Sequence, residues 1–337
     1  KAAENSSRNI ERLIDSLQIA EKEWTRKDPE GEEANTIKHH LKNIYREILK
    51  ASLLNDDIWN DPSLIEEDRS LYLHKQLLIR LLSTRQPGQP APWIFTTNYD
   101  LAIEWAAESL NLRVINGFSG VHYRQFSSAN FDLSFRNVQA KGEARFGSYH
   151  IYLGKLHGSI SWVMDKKLYP REFSIETLNQ AIRSFLNSSG ESDWPGLMIF
   201  PSTSKYLETS GFVLGEITRR FSEFLSRPQT CLIINGYSFG DEHLNRILTS
   251  ALHNPTLHLI IYSPEYNCNS NNNKYAKWLR HLSSLNSPQV TIIGNDERAY
   301  FKSFIDDIPQ PALLDDYSVK VKKLKSLLEE CYSEKSD

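Results

Sequence analysis

The sequence predicts an α/β fold: a parallel sheet with helices on both faces and an added helical region at the N-terminus. Three observations carry this. Short apolar runs recur at 93–95, 112–115, 149–153, 197–200, 231–234, 257–262 and 290–293, and they are continuous rather than alternating. Continuous runs suit strands buried on both faces, as in parallel sheets. Several of these runs end in a polar or glycine-bearing turn that leads into helical spacing, as in Leu244, Ile247, Leu248, Ala251 and Leu252. The first ~90 residues carry helical periodicity.

The helical region comes first. Ile37, Leu41, Ile44, Tyr45 and Ile48 fall at three- and four-residue steps with Lys38, Lys42 and Glu47 between them, as an amphipathic helix requires. Residues 71–82 repeat the pattern, and Asn60-Asp61-Pro62 marks a turn between the two. The run Gln86-Pro87-Gly88-Gln89-Pro90 ends this region. Residues 119–147, aromatic and polar without clear periodicity, read as an insertion or linker, and 267–273 as an asparagine-rich surface loop. Residues 319–328 alternate lysine with apolar positions at helical steps. The expected organisation is therefore a helical region at 1–90 that is inserted in or caps the main domain, an α/β domain at 91–310, and a helical tail at 311–337.

Composition narrows the class. At 337 residues the chain can bury a substantial core. A net charge of -3 gives no global basic field, so direct nucleic-acid binding is not indicated. Cys231, Cys268 and Cys331 form no Cys-x-x-Cys pair, which supports neither a disulfide framework nor a zinc ribbon and points to a reducing cytoplasm. No apolar run approaches the ~20 residues of a membrane helix. The polar opening is no signal peptide and reads like the middle of a longer protein.

Ligands of open parallel sheets bind where strands end and helices begin, so the turns are where chemistry is sought. The first, Thr96-Thr97-Asn98-Tyr99-Asp100, follows an apolar run and precedes a helix. Asn98 or Asp100 could serve simply as its cap, yet polar side chains at all positions but one exceed what a cap needs and suit bonding to a ribose and a carboxamide. The second, Gly154-Lys155-Leu156-His157-Gly158-Ser159, places a histidine between a strand-like run and a glycine that permits close ligand approach. A lone histidine is more often a packing or surface residue. The third, Asn235-Gly236-Tyr237-Ser238-Phe239-Gly240-Asp241, offers backbone N–H groups and a helix N-terminus suited to phosphate.

In this order the three turns resemble the sirtuin family. Thr96 to Asp100 is similar to its Thr-Gln-Asn-Ile-Asp signature, His157-Gly158 to its catalytic His-Gly, and Gly236-Tyr237-Ser238 to its Gly-Thr-Ser nucleotide turn. Met198-Ile199-Phe200-Pro201 sits where sirtuins place an apolar strand near the site. The resemblance implies a Rossmann-like catalytic domain and a catalytic pair, Asn98 and His157. It implies that Asn98 and Asp100 hold the nicotinamide ribose and carboxamide, with Thr97 in place of the family's glutamine. It further implies that His157 is the general base and that Gly236 and Ser238 face the phosphate or adenosine side of NAD.

Protein-deacylating sirtuins usually carry a four-cysteine zinc module between the second and third turns. There is no cysteine from His157 to Ile199, so no zinc is expected. The chain resembles instead the bacterial sirtuin-like NADases of antiphage defence, which consume NAD as substrate. That resemblance implies gating by homo-oligomerisation or by a partner such as a HerA-like ATPase. The family's Gly-Ala-Gly-x-Ser phosphate loop has no counterpart, for no Gly-x-Gly occurs: either it lies upstream of Lys1, as the abrupt polar start favours, or this protein has lost it. Two readings stay open beside NAD hydrolysis: NAD-dependent deacylation or ADP-ribosylation, and a non-catalytic subunit that senses NAD or ADP-ribose.

Overall fold

The computed structural model describes residues 10–29, 31–52, 71–83, 85, 89–121, 124–135, 149–164, 170–173, 184–186, 210–264, 266, 274–294 and 296–309. In chain order its elements are α1 (Ile10–Lys27), α2 (Glu32–Ser52), α3 (Tyr72–Ser83), β1 (Trp93–Thr96), α4 (Ala102–Ser109), β2 (Arg113–Ile115), β3 (Phe118–Ser119), β4 (Arg124–Phe126), β5 (His150–Lys155), β6 (Trp162–Met164) and β7 (Pro170–Glu172). There follow α5 (Ser210–Ser226), β8 (Cys231–Asn235), α6 (Glu242–Ala251), β9 (His258–Tyr262), α7 (Lys274–Ser284), β10 (Val290–Ile293) and α8 (Phe301–Asp307).

The parallel strands form two three-stranded sheets, β1-β5-β2 and β10-β9-β8, and helices cover them. The fold is thus the α/β arrangement that the apolar runs predict. β5 is buried at five of its six positions, as a central strand with helices on both faces should be. Among the described residues β1 pairs with β5 alone and β8 with β9 alone. All four residues of β1 are only partly buried, and Cys231 and Ile233 of β8 are exposed, as edge strands allow.

One core lies between the sheets and α5, whose Val213, Leu214, Ile217 and Leu225 are wholly buried beside Ile234, Leu259 and Ile261. Trp93 stacks on Phe95 at 5.2 Å and on Tyr152 at 4.7 Å between ring centroids, which fixes β1 against β5. Leu78 of α3 packs with Ala102, Ala106 and Ile151, while Leu77 of the same helix packs with Tyr262, Phe304 and Ile305. The amphipathic helices α1 and α2 bury Ile14, Leu41 and Leu49 against Leu101, Ile160 and Tyr99. The N-terminal helices therefore rest on the two turns that follow β1 and β5.

Segment 119–147, expected as an insertion or linker, holds regular structure in its described part, 119–121 and 124–135. β3 and β4 join β7 and β6 in an antiparallel sheet of order β3-β4-β7-β6. These strands have two or three residues each, too short for alternation to register, and the pairing of β4 with the distant β7 joins the two local pairs β3-β4 and β6-β7 into one sheet. The expected turn at 60–62, the run at 197–200, the loop at 267–273 and the tail helix at 319–328 lie outside the described residues.

Candidate functional site

The three polar turns follow β1, β5 and β8, at the carboxyl ends of parallel strands. Because β1 and β5 pair in register, with Thr96 opposite Lys155, the first two turns are neighbours. Backbone bonds continue the pairing beyond the strands: Leu156 N–H donates to Thr96 O at 2.8 Å, and Ile160 N–H donates to Tyr99 O at 3.1 Å.

In the first turn the Asn98 N–H donates to Thr96 Oγ1 at 3.0 Å, which bends the chain and leaves Asn98 exposed. Asp100 Oδ1 accepts the N–H of Ala102, the first residue of α4, at 2.9 Å. The residue at the N-cap position is Leu101, which makes no side-chain cap bond, so neither Asn98 nor Asp100 is the cap itself. Thr97 is partly buried.

In the second turn Gly158 has φ +99°, a conformation that favours glycine and carries the chain round behind His157. Beneath it Lys155 is 2 % exposed. Its Nζ lies 2.9 Å from Glu104 Oε1 on α4 and 3.3 Å from Ser159 Oγ, and it also donates to the Asp100 carbonyl. One ammonium therefore ties both turns to α4. Burial pushes the Glu104 carboxyl above its ordinary range, and Lys155 draws it back only in part. Glu104 Oε2 is buried without a hydrogen-bond partner among the described residues.

Polar contacts continue behind this clamp. Ser159 Oγ lies 2.9 Å from Ser161 Oγ, which donates to Glu172 Oε1 at 3.5 Å. Glu172 also accepts from Asn116 Nδ2 at 2.9 Å and pairs with Arg124. The chain of contacts joins the parallel and antiparallel sheets, and each buried polar group in it meets a partner of suitable type.

The third turn passes through Gly236 at φ +70° and Phe239 at φ +54°. Asn245 Nδ2 donates to Phe239 O at 2.9 Å, the Tyr237 hydroxyl lies 3.1 Å from both Asp241 O and Asn245 Oδ1, and Phe239 stacks on Trp278 at 4.8 Å. These contacts hold the uncommon backbone of Phe239. Gly236 and Ser238 are exposed, and a Cβ on Gly236 would meet nothing within 4 Å.

His157 bridges the second turn to the third. Its Nε2 lies 3.1 Å from Asp241 Oδ2, with His157 12 % and Asp241 26 % exposed. The other carboxylate oxygen of Asp241 accepts the N–H groups of His243 at 2.7 Å and Leu244 at 3.2 Å, capping α6. Burial alone would raise the Asp241 carboxyl, but the His157 ring and the two helix N–H groups hold it below its ordinary value.

Sequence reasoning passed over Asp241, Lys155 and Glu104. Asp241 had a signal, an acidic residue three positions before Leu244 at a helix start. Lys155 had one as well, a lysine at the end of a strand buried on both faces. Glu104 had none, since a carboxylate in an amphipathic helix ordinarily faces water. Among the described residues no group of three or more His, Cys, Asp or Glu side chains is placed to hold a metal ion. No described helix is long and apolar enough to cross a membrane.

Compared with known families, residues 92–285 match the SIR2-like domain, a span that includes all three turns. No curated protein matches the chain.

Proposed function

The chain belongs to the SIR2-like family, whose activities centre on NAD, and from that premise we propose that it is an NAD glycohydrolase. In this reading water replaces nicotinamide on the ribose, so NAD and water give nicotinamide, ADP-ribose and a proton. The observation that carries it is the meeting of the three turns at one end of the parallel strands, with His157 held 3.1 Å from Asp241.

Cleavage of the nicotinamide–ribose bond develops positive charge on the ribose, much as glycosidic cleavage does. The site therefore has to orient the sugar, remove a proton from water or a hydroxyl, and hold the pyrophosphate apart from the reacting bond. Asn98, exposed at the tip of its turn, and Asp100 take the ribose and carboxamide, with Thr97 beside them. His157 is the general base. Gly236 and Ser238, beside the N-terminus of α6, face the phosphate or adenosine side, where backbone N–H groups and the helix dipole favour anions.

NAD depletion in antiphage defence is the physiological role proposed, gated by homo-oligomerisation or by a HerA-like ATPase in a cytoplasmic assembly. The resemblance to bacterial NADases supports this setting, and so does the reasoning that an ungated NADase would harm its host. The α1–α2 pair, resting on Tyr99, Leu101 and Ile160, offers a route by which assembly would reach the turns.

The test is nicotinamide release from NAD by the full chain, with and without a HerA-like ATPase, followed chromatographically. Asn98→Ala and His157→Ala are each expected to lower release at least ~100-fold, the usual scale for a positioned acid–base group. Unchanged release in both variants would sink the assignment of the site. Release only with an acyl-lysine peptide would make the chain a deacylase, and NAD binding without release under any condition would make it a sensing subunit.

A further inference from the structure

The geometry points to Asp241 as a positioning residue that fixes which nitrogen of His157 is basic. The proposal deepens the reading of His157 as general base and rests on it. A carboxylate only accepts hydrogen bonds, so the ring nitrogen that faces Asp241 Oδ2, Nε2 at 3.1 Å, carries the proton. Nδ1 is then the basic nitrogen of the neutral ring, the one able to take a proton during the reaction.

Asp241 is held firmly enough for this work. Its Oδ1 is committed to the His243 and Leu244 N–H groups, so rotation about the side chain would break the cap of α6. The Tyr237 hydroxyl beside its carbonyl and Asn245 bonded to the Phe239 carbonyl fix the backbone that presents it. One oxygen thus serves the helix and the other serves the histidine, and the carboxylate couples a β8–α6 element to a β5 turn.

This division of labour makes asparagine a sharp probe. In Asp241→Asn the single amide oxygen stays with the two helix N–H groups, where asparagine is as good a cap as aspartate. The Nδ2 donor then faces His157 Nε2, which must accept, and the ring proton moves to Nδ1. The helix is kept while the tautomer is inverted. In a hydrolase triad an inverted histidine tautomer lowers kcat by about 10⁴.

The experiment uses the full chain labelled with ¹⁵N-histidine, and reads the His157 ring nitrogens together with kcat and KM for NAD. The wild type is expected to give the pattern of a protonated Nε2 and Asp241→Asn that of a protonated Nδ1. The variant should lose at least ~100-fold in kcat, with KM within about threefold and the native circular dichroism spectrum kept. Asp241→Ser, which caps the helix but presents no acceptor at Oδ2, should give a mixture of tautomers and an intermediate kcat. Wild-type kcat in Asp241→Asn, or a His157 tautomer unchanged by it, overturns the proposal. The ring spectra need no turnover, so they test the Asp241–His157 relation even if NAD is not the substrate.

Discussion

Replacing Lys155 by methionine removes a cation that joins both motif turns to α4 and leaves a similar apolar length in its place. The lysine side chain is 3 % exposed, and its partner Glu104 is 18 % exposed. Removing one member of a buried ion pair costs about 3–5 kcal/mol, because the remaining charge is uncompensated. The residual exposure of Glu104 argues for the lower end, about 3 kcal/mol. At roughly 2–4 °C of Tm per kcal/mol for a domain of 150–250 residues, the expected fall is about 6–12 °C. Thermal melts of the full chain, followed by circular dichroism, measure it. The double variant Lys155→Met/Glu104→Leu should recover most of the loss, since apolar replacement of both partners is often neutral. The deficit also depends on pH with a definite sign. The folded Glu104 carboxyl is already raised by burial, and loss of Lys155 raises it further. The protonated acid is favoured by folding, and that advantage disappears as pH rises through the folded value, so the deficit of Lys155→Met should be larger at pH 7.5 than at pH 5. A single-variant shift below about 2 °C, or a double variant no better than the single, would refute the reasoning.

Two further outcomes separate fold from site. Gly236→Ala places a Cβ in open space but at φ +70°, so the melting temperature should register only about 1 kcal/mol of backbone strain. Nicotinamide release should fall at least ~10-fold if the nucleotide approaches this backbone, and equal release by variant and wild type would remove Gly236 from the site. The Asp241 carboxyl is held below its unfolded value, so its contribution to stability is present above the unfolded value and is lost as pH falls through the folded one. Urea unfolding of wild type and Asp241→Asn should therefore differ most near neutral pH and converge towards pH 3, and a gap that widens on acidification would contradict the shift.

What the sequence revealed follows the physical range of each feature. Continuous apolar runs such as 231–234 and 257–262 report burial that is a property of the run itself, so β8 and β9 were legible. The turns were legible as well, since each lies directly after such a run. β3 and β4 were not, because strands of two and three residues carry no period of their own: β4 is set by its pairing with β7, some fifty residues away, and β3 by its pairing with β4. The same limit applies to the site. Asn98 and His157 stand out locally, but the Lys155–Glu104 pair is created by the packing of α4 on β5. The link from His157 to Asp241 spans 84 positions, and no local pattern encodes it.

The placement of that link has a consequence for how the site is kept whole. His157 belongs to the sheet β1-β5-β2 and Asp241 to the sheet β10-β9-β8, which share no strand pairing among the described residues. Helices carry the connection instead: α5 packs against β5 and α6 together, and α3 reaches Ile151 through Leu78 and Tyr262 through Leu77. Packed helices shift by small sliding steps more readily than paired strands change register. The His157–Asp241 distance is therefore set by helix packing rather than by strand pairing, and among the described residues the core cluster that holds α1 and α2 includes Tyr99, Leu101 and Ile160 of the first two turns and their flanks but no residue of the third. A displacement of the N-terminal helices would move Asn98 and His157 together, because Lys155 binds their turns to α4, and would change their distance from Asp241. The clamp keeps the pair intact, and the His157–Asp241 bond is the contact at which such a displacement would register.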